Sequence, residues 1–285
     1  MDKKRSKAQG KNITGATGRP KSATRQPQPA KASQPEGELL YGLHAVAEAL
    51  KARRRELKKI LLAHDVAYET VKERETLKER FAKMLELAGN VPVESTTAPA
   101  LERRTRSPQH QGIALLAGPL PEVDLGQVLD NAVKPRQLLL LDGITDPHNL
   151  GALLRTALCA GFAAVVVPKD RAADATPTVA KVSSGALEYM PLVTVTNLVA
   201  AIKELKAAGF WVGGLAAEGA SDIFKTDLRG DFALVVGSEG TGLRPLVREA
   251  CDLTLAIPQL GPLDSLNASV AGSIAIYEIF RQSRG

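Results

Sequence analysis

The stretch Arg136-Gln-Leu-Leu-Leu-Leu-Asp142-Gly-Ile-Thr-Asp-Pro-His-Asn149-Leu-Gly-Ala-Leu-Leu-Arg155 decides the fold. Its leucine run at 138–141 has no polar face, so it reads as a strand in a sheet covered on both sides. Gly143 and Pro147 interrupt the run, and small and apolar residues at about 149–160 then recur at helical spacing. A buried strand running straight into a helix is half of a parallel-sheet unit.

The same alternation continues downstream. Residues 163–167, 192–195, 211–215, 234–236 and 253–257 are short Leu- and Val-rich runs, separated mostly by helical stretches at about 176–184, 197–207, 243–250 and 266–282. The pattern predicts an α/β domain with a parallel sheet over 136–285. Ligands of such sheets bind beyond the carboxyl ends of the strands, and three polar clusters stand in that position.

In the first cluster Asn149 suits the start of a helix, and Arg155 follows six residues later among Leu150, Leu153, Leu154 and Ala157. A guanidinium in such company either meets a carboxylate or phosphate, or faces solvent. The second cluster is Gly237-Ser-Glu239-Gly240-Thr-Gly242-Leu-Arg244. Its glycines allow a ligand close to backbone N–H groups, or simply make a tight turn. It is not G-x-G-x-x-G, and Leu243 stands where a phosphate-binding loop needs lysine. Glu239 would also repel a pyrophosphate. The third cluster, Ile257-Pro-Gln-Leu-Gly-Pro-Leu-Asp-Ser265-Leu-Asn267-Ala-Ser-Val-Ala271, is a bent loop opening a terminal helix that Ser265 or Asn267 can cap. His110 and His148 read as structural hydrogen-bonders.

Upstream, Pro119, Pro121 and Pro135 mark 119–135 as a linker, and 38–118 reads as a small α/β domain. There Leu43, Val46, Ala47 and Leu50 recur at helical spacing, 60–63 and 91–93 look like strands, a charged helix spans 69–87, and 112–116 is a further strand. Residues 1–37 hold almost no large apolar side chain and are expected to be a disordered basic tail, either solubilising or an RNA tether.

The chain has 285 residues, 44% of them hydrophobic, and a formal charge of +6. That charge is unevenly spread: +7 over 1–37, +3 over 38–118 and −4 over 119–285. The basic excess suits a nucleic-acid partner for the front of the chain. Two cysteines, with no C-x-x-C or H-x-x-x-H pair, predict neither a disulfide framework nor a metal site. No apolar run approaches the roughly 18 residues of a membrane span, and no secretory h-region is seen, so the expectation is a cytoplasmic protein without a membrane partner.

Taken together, the three clusters resemble the motifs of the SpoU (TrmH) branch of the SPOUT RNA methyltransferases. Tyr41-Gly-Leu-His-Ala-Val46 and His110-Gln-Gly-Ile113 resemble the amino-terminal RNA-binding domain of the 23S rRNA guanosine-2′-O-methyltransferases. The resemblance covers about 38–283. It implies a SPOUT catalytic domain over 136–285 with a C-terminal trefoil knot, preceded at 38–118 by an L30e-like substrate RNA-binding domain. It also implies S-adenosyl-L-methionine as cofactor, a homodimer, and methyl transfer to a ribose 2′-hydroxyl, with a guanosine of 23S rRNA as target.

By motif position the resemblance assigns Gly237, Ile257 and Leu266 to the cofactor, with Leu215 a further candidate. It assigns catalysis to Asn149, Arg155, Glu239, Ser265 and Asn267. Arginine stays protonated in proteins, so Arg155 is read as a clamp for phosphate rather than as the base. Asn149 would position Arg155 or the ribose, Glu239 would orient the arginine and fix the loop, and Ser265 and Asn267 would hold hydroxyl and phosphate oxygens. Two alternatives stand beside this reading: a tRNA 2′-O-methyltransferase, and a non-catalytic RNA-binding factor of ribosome assembly.

Overall fold

The computed structural model describes residues 37–66, 71–262 and 265–284. The tail reading, apart from Gly37, lies outside the described residues. The front block runs β1 (Glu38–Tyr41), α1 (Leu43–Ala52), β2 (Leu57–Ala63), α2 (Val71–Ala88), β3 (Val93–Thr96), α3 (Ala98–Thr105) and β4 (Ile113–Ala117). Its strands form one sheet in the order β1-β4-β2-β3, parallel only between β2 and β3. The strand expected at 91–93 begins only at Val93. Pro92 has no N–H for a ladder; its carbonyl accepts from Ile60 N at 2.8 Å as the chain enters the sheet. Strand β1 and helix α3 were not expected: four residues are too few to show a period, and α3 buries only Leu101.

Within the segment expected as a linker, 119–135, lies helix α4 (Leu125–Asn131). Asp124 and Gln127 form a capping box at its start, and Leu125 and Val128 bury in the core of the back half. Seven residues between prolines are too short for a convincing helical period, which is why composition suggested a linker.

The back half continues with β5 (Gln137–Asp142), α5 (Pro147–Cys159), β6 (Ala164–Pro168), α6 (Pro177–Val182), β7 (Leu192–Val195), α7 (Leu198–Ala207), β8 (Trp211–Leu215), β9 (Ser221–Asp222), β10 (Phe232–Gly237), α8 (Pro245–Ala250), β11 (Leu253–Ala256) and α9 (Ala268–Ser283). All the strand pairings in this sheet are parallel, in the order β7-β6-β5-β10-β8-β11-β9. The last two long strands enter between earlier ones: β10 between β5 and β8, and β11 between β8 and β9.

The leucine run of β5 shows why the sheet needs cover on both faces. Alternate side chains point to opposite sides. Leu139 and Leu141 join Leu153, Leu154, Ile276 and Ile279 of α5 and α9. Leu138 and Leu140 join Leu198, Ile202, Leu205 and Val247 of α7 and α8. The α5 face is continuous with the core of the front block, which contributes Leu40, Val46 and Leu50. Among the described residues no helix is long and apolar enough to cross a membrane.

Candidate functional site

Four strands end side by side: β5 at Asp142, β10 at Gly237, β8 at Leu215 and β11 at Ala256. The loops that leave β8, β10 and β11 surround a cavity of about 710 Å³. Its apolar walls are Leu215, Ile257 and Leu266, and Gly237 forms part of its backbone floor. Thus the four residues expected to bind a cofactor line one cavity. Glu239, Ser265 and Asn267 line it as well.

The loop after β10 owes its shape to two glycines. A Cβ on Gly237 would lie 2.3 Å from the Gly242 carbonyl carbon, so only glycine admits the return of the chain at that point. Gly242 takes φ 64°, and Ser238 and Gly242 exchange backbone hydrogen bonds of 3.2 and 3.0 Å. Glu239, Gly240 and Thr241 are left at the tip. Beyond the tip, Arg244 donates to the buried Asp142 carboxylate twice, from its backbone N at 2.8 Å and from Nε at 2.5 Å. This ion pair ties the loop to the end of β5. Sequence reasoning passed over it; an aspartate closing an apolar strand was the available signal.

Asn149, Glu239 and Asn267, one from each motif, meet. Glu239 Oε1 accepts from Asn149 Nδ2 at 3.0 Å and from Asn267 Nδ2, and Asn267 Nδ2 also donates to Asn149 Oδ1 at 3.2 Å. Asn267 caps α9 at the same time, its Oδ1 accepting from Ser269 N and Val270 N. Asn149 does not cap its helix. Asp146 does, accepting from His148 N at 2.9 Å, with Pro147 in the first turn. That frees the buried Asn149 side chain for Glu239.

Arg155 stands apart. It is exposed and outside the cavity lining, and its guanidinium donates to Ser184 Oγ at 3.0 Å. The expectation that Glu239 orients Arg155 is therefore corrected: Glu239 holds two asparagines instead. Helix geometry gives the reason. Residues six apart are offset by about 120° around the axis and about 9 Å along it, so Asn149 and Arg155 leave the helix on different faces and meet different partners. The structure shows no group of three or more His, Cys, Asp or Glu able to hold a metal ion among the described residues.

A family model described as "SpoU rRNA Methylase family" matches residues 136–277, and one described as "RNA 2′-O ribose methyltransferase substrate binding" matches 39–123. The 23S rRNA (guanosine-2′-O-)-methyltransferase RlmB of Ralstonia nicotianae is 41% identical over 247 residues, covering 86% of this chain and 95% of the relative. RlmB of Photobacterium profundum is 40% identical, covering 86% and 98%. The crystal structure of the SpoU methyltransferase AviRb from Streptomyces viridochromogenes in complex with AdoMet is similar with a TM-score of 0.67 and 25% identity, covering 86% of this chain and 89% of that one.

Proposed function

The chain belongs to the SpoU methylase family, and from that premise we propose that it transfers a methyl group from S-adenosylmethionine to a ribose 2′-hydroxyl of RNA, at a guanosine of 23S rRNA. The observation that carries this reading is a cavity at the carboxyl ends of the sheet lined by the second and third motifs, with Asn149 of the first motif hydrogen-bonded to Glu239 and Asn267 of its lining. The cavity suits the cofactor. Its volume lies within the range usual for small-molecule sites. Its charged lining residues are Glu218, Glu239 and Arg248, net negative, which favours a cationic sulfonium over a phosphate.

When bound, S-adenosylmethionine would supply an activated methyl group, passed from its sulfur to the ribose oxygen as the hydroxyl proton goes to an acceptor. The protein's share is alignment. Leu215, Ile257 and Leu266 take up apolar surface of the cofactor, and the Gly237 backbone lets it lie close. Glu239 locks the two asparagines, so that Asn149 and Asn267 present fixed amides to the ribose side of the cavity. Ser265, exposed at the cavity wall, holds hydroxyl or phosphate oxygens. Arg155, permanently charged, clamps the phosphate next to the target nucleotide.

The match over 39–123 supports the 38–118 block as the substrate RNA-binding domain, joined through 119–135 to a catalytic domain at 136–285. The late entry of β10 and β11 between earlier strands supports a trefoil knot. Exposed Leu246, Leu260, Val270 and Tyr277, in and around α8 and α9, support a homodimer. An rRNA substrate supports a cytoplasmic location. Primer extension at low deoxynucleotide concentration on rRNA from a deletion strain tests the function. A stop missing from 23S rRNA and regained on complementation is the expected result. An unchanged rRNA pattern with a lost tRNA methyl would transfer the activity to tRNA, and absence of S-adenosylmethionine binding in equilibrium dialysis would leave only a non-catalytic role.

A further inference from the structure

The segment between α6 and β7 touches two things at once: the front block and Arg155. Helix α5 is pressed onto the end of α6 at Gly151, where an added Cβ would meet Val182 Cγ1 at 2.8 Å and Ser183 N at 3.0 Å. Arg155 lies four residues after Gly151, on the same face of the helix, so it projects onto the next residues of that segment. There it meets Ser184 Oγ at 3.0 Å. Among the described residues Arg155 makes no ion pair.

Ser184 is held in an uncommon conformation. Its φ is 54°, a left-handed value that few residues other than glycine adopt, and Gly185 follows at φ 84°. The turn is fixed from its other side by the front block. A Cβ on Gly185 would lie 2.5 Å from Glu48 Cβ and 3.2 Å from the His44 carbonyl oxygen, so the backbone lies directly against α1. Polar contacts continue along the same seam. Tyr189 donates to Glu48 Oε2 at 2.8 Å, Arg54 donates to the Glu188 carbonyl at 3.3 Å, and Arg55 pairs with Glu188 at 2.9 Å with both side chains buried. Rotating or withdrawing the front block must therefore disturb the turn that carries Ser184.

We propose that Ser184 is a positioning residue for the Arg155 guanidinium, and that α1 of the RNA-binding block, by clamping the Ser184–Gly185 turn, sets the pose in which that arginine meets the substrate phosphate. The inference rests on the reading of Arg155 as the phosphate clamp. It couples the seating of the front block to the catalytic step. The geometry suits such a device: a single hydroxyl acceptor fixes the direction of the guanidinium and leaves its other N–H groups free for a phosphate.

The test is methyl transfer by the full-length chain from tritiated S-adenosylmethionine to rRNA purified from the deletion strain, with kcat, KM for rRNA, cofactor Kd and Tm measured for each variant. Ser184→Gly removes the hydroxyl while relieving the left-handed backbone. It should lower kcat about 10- to 100-fold, the loss of one hydrogen bond to a charged group, with Tm and cofactor Kd unchanged. Ser184→Asn, which tolerates the left-handed region and offers an acceptor oxygen, should recover most of the rate. Glu48→Ala, which loosens α1 from the turn, should lower kcat several-fold in the same pattern. Wild-type kcat in Ser184→Gly, alongside an inactive Arg155→Ala, would overturn the positioning role while leaving the catalytic reading intact. Wild-type kcat in Glu48→Ala would overturn the coupling to the front block. Full turnover by Arg155→Ala would remove the clamp and this proposal with it.

Discussion

The Asn149 amide lies 3.0 Å from the Glu239 carboxylate although ninety residues of chain separate them. Asn267, a further twenty-eight residues on, completes the cluster from the start of α9. One carboxylate oxygen thus gathers two amides from two helices, and the site's polar wall depends on that single acceptor. Replacing Glu239 with Ala leaves both amides without it. We expect kcat to fall about 10- to 100-fold. Glu239→Gln keeps a neutral acceptor oxygen, with hydrogen bonds roughly half as strong, and should fall between wild type and Ala. Equal rates for Gln and Ala variants would show that the acceptor is not what matters.

Arg155 lies outside the lining of the cavity at the strand ends. Arg155→Ala should therefore abolish methyl transfer and leave S-adenosylmethionine affinity within about twofold, since uniform binding is untouched when only a transition-state contact is lost. Calorimetric titration of the variant with cofactor, beside a turnover assay, checks both halves.

Gly237 is the position where the cavity is most sensitive to one carbon atom. An alanine Cβ, 2.3 Å from the Gly242 carbonyl carbon, forces the loop open. Overpacking of this kind costs about 1–3 kcal/mol. Gly237→Ala should lower Tm by several degrees and weaken cofactor binding by more than tenfold. A variant that binds cofactor normally would place the ligand elsewhere.

His110 supplies a pH dependence. It is buried, and Gly112 N donates to its Nδ1 at 3.1 Å, which requires that nitrogen to be unprotonated. Burial, aided by the positive charge of Lys181, holds its pKa below the usual 6.5, against the opposing carboxylates of Glu102 and Asp65. The unfolded chain thus takes up a proton at higher pH than the folded one. The stability contributed by neutral His110 is fully present above pH 6.5 and is lost as pH falls through the folded value. Urea unfolding between pH 7.5 and 5.5 should show a falling midpoint that a His110→Asn variant largely lacks.

Much of the fold was legible locally. The leucine run of β5 and the alternation that follows it state a parallel sheet covered on both faces, and the glycines after β10 state a tight loop. What escaped were short elements, β1 and α4, whose four and seven residues carry no clear period. The capping box at Asp124 and Gln127 was the one local sign of α4. In the site, Leu215, Gly237, Glu239, Ile257, Ser265, Leu266 and Asn267 line one cavity, Asn149 joins it through Glu239, and Arg155 lies outside it, its expected partner Glu239 being taken by the two asparagines.

The amino-acid sequence by itself determined the main strands of the back half, that they run parallel, and which side chains follow their carboxyl ends, because these depend on periodicity and turn chemistry within a few residues. Only the tertiary structure decided that Glu239 binds Asn149 and Asn267, that Asp142 holds Arg244, and that Arg155 rests on Ser184. The first two pairings depend on strand order, with β10 inserted beside β5 long after β5 was laid down, and the third on how α5 packs against the segment after α6. Strand order is set by how whole faces pack against one another, and no local pattern records it.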